Sequence, residues 1–331
     1  MHFQYVFDNF VSLFVGGLVF GAVYALVALG YTMVYGVLQL INFAHSEVFM
    51  FGTFATVWAL WLIGADATTM GLALVLSIAF AMAVSMITSG GVALLLERVA
   101  YRPLLKRGAP RLIALISAIG ASFVLSEAMG LRGAIASALG LNDTLGRYVA
   151  RSRDNLGLPT DRTFTVQFEL FGYGVTNRDI IIVVAAVLMM VAADQFIRRT
   201  RTGRGIRAVA QDAETSSLMG VNSTRVIQIT FLIGGLLAGA AATLYMLQVG
   251  ATRYNAGFIL GVKAFTAAVL GGIGNLRGAL LGGFVLGVAE SLGAGLFGSE
   301  WRDVVAFVLL ILILLFRPTG LLGESLGKAR A

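Results

Sequence analysis

Nine apolar stretches follow one another along the 331 residues, at about 10–38, 44–63, 71–96, 111–131, 180–197, 226–249, 258–273, 278–296 and 302–316. A helix needs about 20 mainly apolar residues to cross the hydrocarbon layer of a membrane. Inside that layer every backbone polar group must be bonded internally. The stretches are long rather than alternating, so they read as helices and not as barrel strands. The expected fold is an all-α integral membrane protein, a bundle of 8–9 transmembrane helices with interrupted or re-entrant segments. Only 12% of residues are charged, against about 25% in a soluble globular domain. The length suits one bundle, residues 1–331, with no separate soluble domain. The N-terminus lacks the basic region and cleavage site of a signal peptide, so the first apolar run is expected to stay in the membrane.

Two of the stretches are broken. Residues 264–290 are almost wholly apolar, yet Gly271, Gly272, Gly274, Asn275, Arg277 and Gly278 interrupt them. Residues 36–52 carry Asn42, His45, Ser46 and Glu47 among apolar neighbours. Backbone breaks at membrane depth are tolerated only where protein buries them or a watery cavity runs past. Paired breaks in the two halves of a transporter point to its translocation site. Asn42, His45, Ser46, Glu47, Gly271, Gly272, Gly274 and Asn275 are therefore the candidate substrate pathway. The plainer reading is two turns between ordinary spans, with His45 satisfying a nearby backbone break.

Charge orients the bundle. Arg98, Arg102, Lys106, Arg107 and Arg111 follow the third run, and Arg198, Arg199, Arg201, Arg204, Arg207 and Arg225 follow the fifth. Such loops lie on the cytoplasmic side. Arg317, Lys328 and Arg330 put the C-terminus there too, and nine crossings put the N-terminus outside. Pro103 and Pro110 are expected to prevent a continuous helix in the first basic loop. The polar stretch at about 132–178 then faces outward. Within it Thr163–Gly174 alternates in part and turns, the pattern of a short hairpin.

Residues 204–222 place Ile206, Val209, Ala210, Ala213, Ser217, Leu218 and Val221 at three- and four-residue steps. Gly220 is placed to end a helix, and Asn222 or Ser223 to cap the next. An amphipathic helix between two spans, in the segment of about 198–225, suits a groove in a soluble protein, or else lies on lipid. Its alanine and serine stripe favours the protein contact. There is no phosphate-cradling G-x-x-x-x-G-K-[ST] sequence, so any ATPase must be another chain. The chain has no cysteine and only two histidines, which excludes disulfides and thiolate metal sites. The net charge of +7 resides in the loops and does not imply nucleic acid. No nucleophile with base, metal cluster or cofactor motif suggests an enzyme.

Several segments together resemble one family. They are Tyr24-Ala-Leu-Val-Ala-Leu-Gly-Tyr-Thr-Met-Val-Tyr-Gly36, Ile41-Asn-Phe-Ala-His-Ser-Glu47, Glu97-Arg-Val-Ala-Tyr-Arg-Pro103, Arg111-Leu-Ile-Ala-Leu-Ile-Ser-Ala-Ile-Gly120 and Lys263-Ala-Phe-Thr-Ala-Ala-Val-Leu-Gly-Gly-Ile-Gly274. The chain is similar, from about residue 10 to 322, to LivH-type permease subunits of bacterial branched-chain amino-acid ABC importers. The resemblance implies the ABC importer permease fold and an inner-membrane location. It implies a pore shared with a second, LivM-type permease, two ATP-binding cassette subunits, and a periplasmic substrate-binding protein. It implies no cofactor on this chain, with ATP used by the partners. The ATPases would engage the 204–222 segment, at Arg204, Ala210, Asp212, Ala213, Glu214, Ser217, Leu218 and Gly220. The family usually has glycine where this chain has Ser46. Related importers carry urea, short amides or aromatic acids. A proton- or ion-coupled carrier working through Glu47, Glu127 or Glu290, or a passive channel, is the alternative of another class.

Overall fold

The computed structural model describes residues 3–150, 152–160 and 165–323. Arg151, Asp161, Arg162, the Thr163-Phe164 start of the expected hairpin, and the tail cations Lys328 and Arg330 lie outside the described residues. Each apolar stretch forms a helix. A short α1 (Phe3–Asp8) leads into α2 (Phe10–Leu38), α3 (His45–Leu62) and α4 (Gly71–Leu96). After α5 (Arg102–Lys106) come α6 (Arg111–Gly130) and two short helices, α7 (Arg132–Ala138) and α8 (Asn142–Leu145). The second half holds α9 (Asn177–Arg199), α10 (Arg201–Gln211), α11 (Ala213–Leu218) and α12 (Ser223–Val249). It ends with α13 (Ala256–Gly271), α14 (Leu276–Phe297) and α15 (Arg302–Phe316). Six helical segments, Phe10–Leu38, Gly71–Lys106, Leu112–Gly130, Asn177–Arg199, Ser223–Val249 and Leu276–Phe297, are long and apolar enough to span a membrane. With α3, α13 and α15 they account for the expected bundle.

The expected break in the first basic loop comes at residues 107–110, where Pro110 precedes α6, and not at Pro103. The helix does not stop before Pro103, because a π-helical turn at Glu97–Tyr101 carries α4 into α5. Proline clashes with the carbonyl four residues earlier. The wider turn relieves that clash, so the prolyl ring sits in the first turn of α5. The same turn buries Glu97, whose two oxygens accept from Arg102 Nε and Nη2 at 3.1 and 2.9 Å. The expected hairpin does form. β1 (Val166–Leu170) pairs antiparallel with β2 (Tyr173–Thr176). Its two loop residues, Phe171 and Gly172, have φ of 47° and 83°, the left-handed pair that suits strand twist.

Two sets of four helices, α2, α3, α4 and α6 in one and α12, α13, α14 and α15 in the other, pack as inverted counterparts. On α2, Gly17 meets Gly287 and Val288 of α14, while Gly21 meets Gly283 and Phe284, so the two helices run antiparallel. On α12, Gly235 meets Ser89, Gly90 and Ala93 of α4, while Gly239 meets Ser85 and Met86, again antiparallel. Each long helix thus takes the third helix of the other set as its closest partner. Missing side chains let the backbones approach this closely, as in other membrane interfaces. α2 and α12 cross at Gly30 and Gly234, and Val37 packs near Val226. α6 lies against α3, and α15 against α13. α9 joins the two sets, packing on both α2 and α12.

Both ends of the bundle are now defined. One end gathers the arginine-rich loops with α5, α10 and α11. There the last turn of α2 is covered by Ile206 and Val209 of α10. This explains the excess length of α2, whose 29 residues extend about 43 Å. The other end carries residues 131–150, 152–160 and 165–176. Arg132 donates to the carbonyls of Met129 and Ser152 and lies 4.9 Å over Phe54. Arg147 stacks on Trp61, and Arg153 pairs with Glu127 at 2.7 Å and stacks on Tyr254.

Candidate functional site

At mid-bundle the two interrupted segments that matter are 39–44 and 250–255. Gln39, in a left-handed conformation, ends α2. The chain then turns back, so that α3 starts with His45 against Gly30 and Gly234, near the middle of α12. From there α3 runs to the end that bears Arg147 and Tyr148, against which its Trp61 packs. Gly250, also left-handed, ends α12. The chain turns back again, Thr252 bonding Thr53 at 2.6 Å. α13 starts beside Ser46 and Glu47 and runs to the arginine-rich end. Two half-length helices therefore begin side by side inside the bundle and point in opposite directions.

Asn42, His45, Ser46 and Glu47 come together at this junction, and all four are buried. The Tyr101 hydroxyl donates to Asn42 Oδ1 at 2.9 Å, which fixes the turn before α3. The His45 ring stands edge-on to Tyr31, with centroids 4.9 Å apart. Ser46 Oγ donates to the Phe43 carbonyl at 2.7 Å. Glu47 lies in the first turn of α3, where a negative charge suits the helix dipole. Its Oε1 accepts from Ser122 Oγ of α6 at 3.2 Å. Its Oε2 has no hydrogen-bond partner and faces the first turn of α13. A β-carbon at Gly257 would lie 2.6 Å from the Ser46 carbonyl and 2.9 Å from Glu47 Oε2. One at Gly261 would lie 2.2 Å from Ser46 Cβ. The bare Gly257–Gly261 face is the seat for the start of α3.

Gly271, Gly272, Gly274 and Asn275 do not join this junction. They form the turn between α13 and α14 at the arginine-rich end. Leu270 and Gly271 carbonyls accept from the backbone of Leu321 and Leu322, at 2.8 and 3.0 Å. Asn275 caps α14, accepting from the Arg277 and Gly278 amides at 3.0 and 3.2 Å. Gly272 and Gly274 have φ of 107° and 95°, conformations that favour glycine. The turn borders a cleft of about 600 Å³ with Arg198, Arg207, Ala210 and Gln211.

The 204–222 segment is two helices, not one. Asp212 is extended and breaks them, then caps α11 by accepting from the Glu214 and Thr215 amides at 2.9 and 3.0 Å. Hydrogen bonds from Thr215, side chain first, hold the Asp212 carboxyl below its ordinary range. The expected stripe is split accordingly. Ile206 and Val209 face inward, on α2 and α12, while Ala210 is half-buried. Arg204, Ala213, Glu214, Ser217 and Gly220 are exposed. The tip carries bulky apolar side chains instead, Leu218 and Met219, 83% and 82% exposed. Gly220, with φ of 85°, ends α11, and Asn222 Oδ1 caps α12 by accepting from Arg225.

Sequence reasoning missed several partners. Glu290 of α14 is buried with Lys263 of α13 at 3.2 Å, accepts from the Tyr24 hydroxyl at 2.8 Å, and shares Lys263 with Asp303 at 2.7 Å. Tyr31, Ser122, Gly257 and Gly261 complete the mid-bundle junction. The four-residue step from Gly257 to Gly261 and the lone lysine in an apolar run were the available signals.

Residues 13–314 match the family model described as branched-chain amino acid transport system / permease component. The chain is 44% identical over 317 residues to the high-affinity branched-chain amino acid transport system permease protein BraD of Pseudomonas aeruginosa, covering 96% of each chain. It is 40% identical over 326 residues to the permease protein LivH of Escherichia coli, covering 96% of this chain and 97% of that one. A more distant relative is the probable branched-chain amino acid transport permease protein LivH of Methanocaldococcus jannaschii, 24% identical over 323 residues, covering 95% of this chain and 93% of that one.

Proposed function

The chain belongs to the branched-chain amino acid transport permease family, and on that premise we propose that it is the membrane-spanning subunit of an ATP-driven importer that moves branched-chain amino acids across a bacterial inner membrane. The observation that carries this reading is the match to BraD across 96% of both chains. The arginine-rich end, with the C-terminus, lies in the cytoplasm. A second, related permease completes the pore, and a periplasmic binding protein delivers substrate to the end that bears residues 131–176. Two ATP-binding cassette subunits supply the energy, and this chain binds no cofactor. Leu218 and Met219, presented at the tip of α11 between the Asp212 cap and Gly220, are the side chains that enter a groove on the ATPase. The inward face of α10, seated on Val37 and Val226, passes that motion to the last turn of α2.

The test is co-purification of the tagged chain from its native membrane, with a Leu218→Arg, Met219→Arg variant alongside. The parent is expected to bring down the ATPases and a second permease. The variant is expected to keep the second permease and lose the ATPases, because neither side chain supports this chain's own fold. A parent recovered without partners would overturn the importer reading. Uptake of leucine, isoleucine and valine, with urea, acetamide and aromatic acids as competitors, tests the substrate class.

A further inference from the structure

We infer that Glu47 and the uncapped first turn of α13 together form the recognition site for a zwitterion, the carboxylate side chain taking the substrate's ammonium group and the helix start taking its carboxylate. The inference rests on the importer reading and assigns that function to particular atoms.

Two independent observations meet here. The first is a helix start without a cap. Asn255 holds the N-cap position of the 16-residue α13 but makes no side-chain bond to the first turn. The amides of a first turn have no intrahelical acceptor, and the dipole there is positive. Half-helix starts inside membrane bundles are suited to anionic groups of substrates. The second is an acid aimed at that start. Glu47 is only 1% exposed, one oxygen is held by Ser122, and the other is unpartnered and lies against Gly257. A buried carboxylate half satisfied is costly, and polar groups at membrane depth default to function.

The two features also fit one ligand. In this conformation Glu47 Oε2 lies beside Gly257 in the first turn of α13 without accepting a hydrogen bond. A zwitterion brings its own carboxylate to that turn and presents an ammonium group a short distance away. Glu47 then exchanges the helix start for the ammonium group, so charge stays balanced throughout. Glycine at 257 is what lets the first turn of α13 come this close to Ser46 and Glu47. Phe258 and Ile259, the next residues of α13, are exposed, 56% and 52%. This turn of α13 therefore faces the outside of this chain, the side from which an apolar substrate side chain would approach.

The experiment uses the assembled importer, with its partner permease, ATPases and binding protein, in proteoliposomes, and L-leucine as the probe. The expected result for Glu47→Gln is assembly with the partner subunits as in the parent, with leucine uptake reduced at least tenfold. Glu47→Asp, which keeps the charge, is expected to recover part of the uptake and so separates charge from packing. Leucine uptake by Glu47→Gln within twofold of the parent overturns the inference. So does a Glu47→Gln variant that assembles but loses ATP hydrolysis along with uptake, since the acid would then serve the conformational cycle and not the ligand. A parent complex that assembles yet takes up no leucine under ATP sinks the importer reading instead.

Discussion

α3 and α13 occupy equivalent places in two inverted sets of helices, yet they carry different chemistry. Each begins at mid-bundle after a long helix ends in a left-handed residue, Gln39 in one case and Gly250 in the other. The first turn of α3 holds His45, Ser46 and Glu47. The first turn of α13 holds Ala256, Gly257, Phe258 and Ile259, with no polar side chain. Further along, the contrast reverses. α13 carries Lys263, buried with Glu290, while Gly52 stands at the same distance from the start of α3, wrapped by Ser85 and Ser89. Pseudosymmetry places two helix starts together, and the unequal side chains make one of them an acid and the other a bare positive end. A symmetric pair of acids would repel, and a symmetric pair of glycines would bind a zwitterion at one end only.

The shared part of the comparison is the pair of backbone seams, and the largest effect is expected there. Gly287→Val would set a β-carbon 2.3 Å from the Gly17 carbonyl. No side chain can move aside, so the cost exceeds the roughly 1–3 kcal/mol of ordinary overpacking. The recovered yield of monodisperse protein should fall to background. Gly239→Val on the matching seam, 2.5 Å from the Ser85 carbonyl, should do the same. Unequal outcomes would break the equivalence of the two seams.

Lys263→Met comes next. It leaves Glu290 charged, buried and short of its cation, a change that typically costs about 3–5 kcal/mol. Adding Glu290→Gln should restore most of the loss, and thermal unfolding in detergent across the four-variant cycle reads the coupling. A smaller effect is expected at Gly257→Ala, whose methyl group meets the Ser46 carbonyl at 2.6 Å. Overpacking of about 1–3 kcal/mol should lower the unfolding temperature modestly, and uptake by the assembled importer should fall more than stability does. Equal losses would make Gly257 a packing residue only. The smallest effect belongs to Ser85→Ala. Its single O–H is shared between the Gly52 and Gly239 carbonyls at 2.9 and 2.8 Å, and a hydrogen bond between membrane helices is worth about 0.6 kcal/mol. A drop in stability of about 0.6 kcal/mol, with uptake unchanged, would confirm that α4 contributes stitching and no ligand contact.

Much of this was readable before the structure. The hairpin declared itself by alternation followed by glycine, and the Asn222 cap and Gly220 stop by their residue types. These are local devices, decided within a few residues. Asn42, His45, Ser46 and Glu47 stood out because polar groups are conspicuous in apolar surroundings. The glycine-rich 271–275 turn stood out for the same reason, yet it closes a helix pair at the arginine-rich end. Glycine marks tight backbone geometry at any depth, and depth depends on where the preceding helix begins. The second mid-bundle break, 250–255, gave little signal because it contains one glycine and sits next to a long helix. The α10–α11 segment was legible as a surface element. The break within it was not, since Asp212 resets the helical phase, so that Ile206 and Val209 face inward while Leu218, already one of the expected contact residues, and its neighbour Met219 are exposed.

The sequence by itself determined that this chain lives in a membrane, that its crossings are helical, and which loops are basic. Apolar length and the need to bond every backbone group internally leave no other solution, and both are local properties. Only the tertiary structure decided that two helices start at mid-bundle, that α2 pairs with α14 and α12 with α4, and that Glu47 faces Gly257. These depend on glycine faces far apart in the chain coming within backbone contact. Nothing in either face alone states which partner it takes, because in lipid apolar surface is satisfied by any neighbour and shape alone selects.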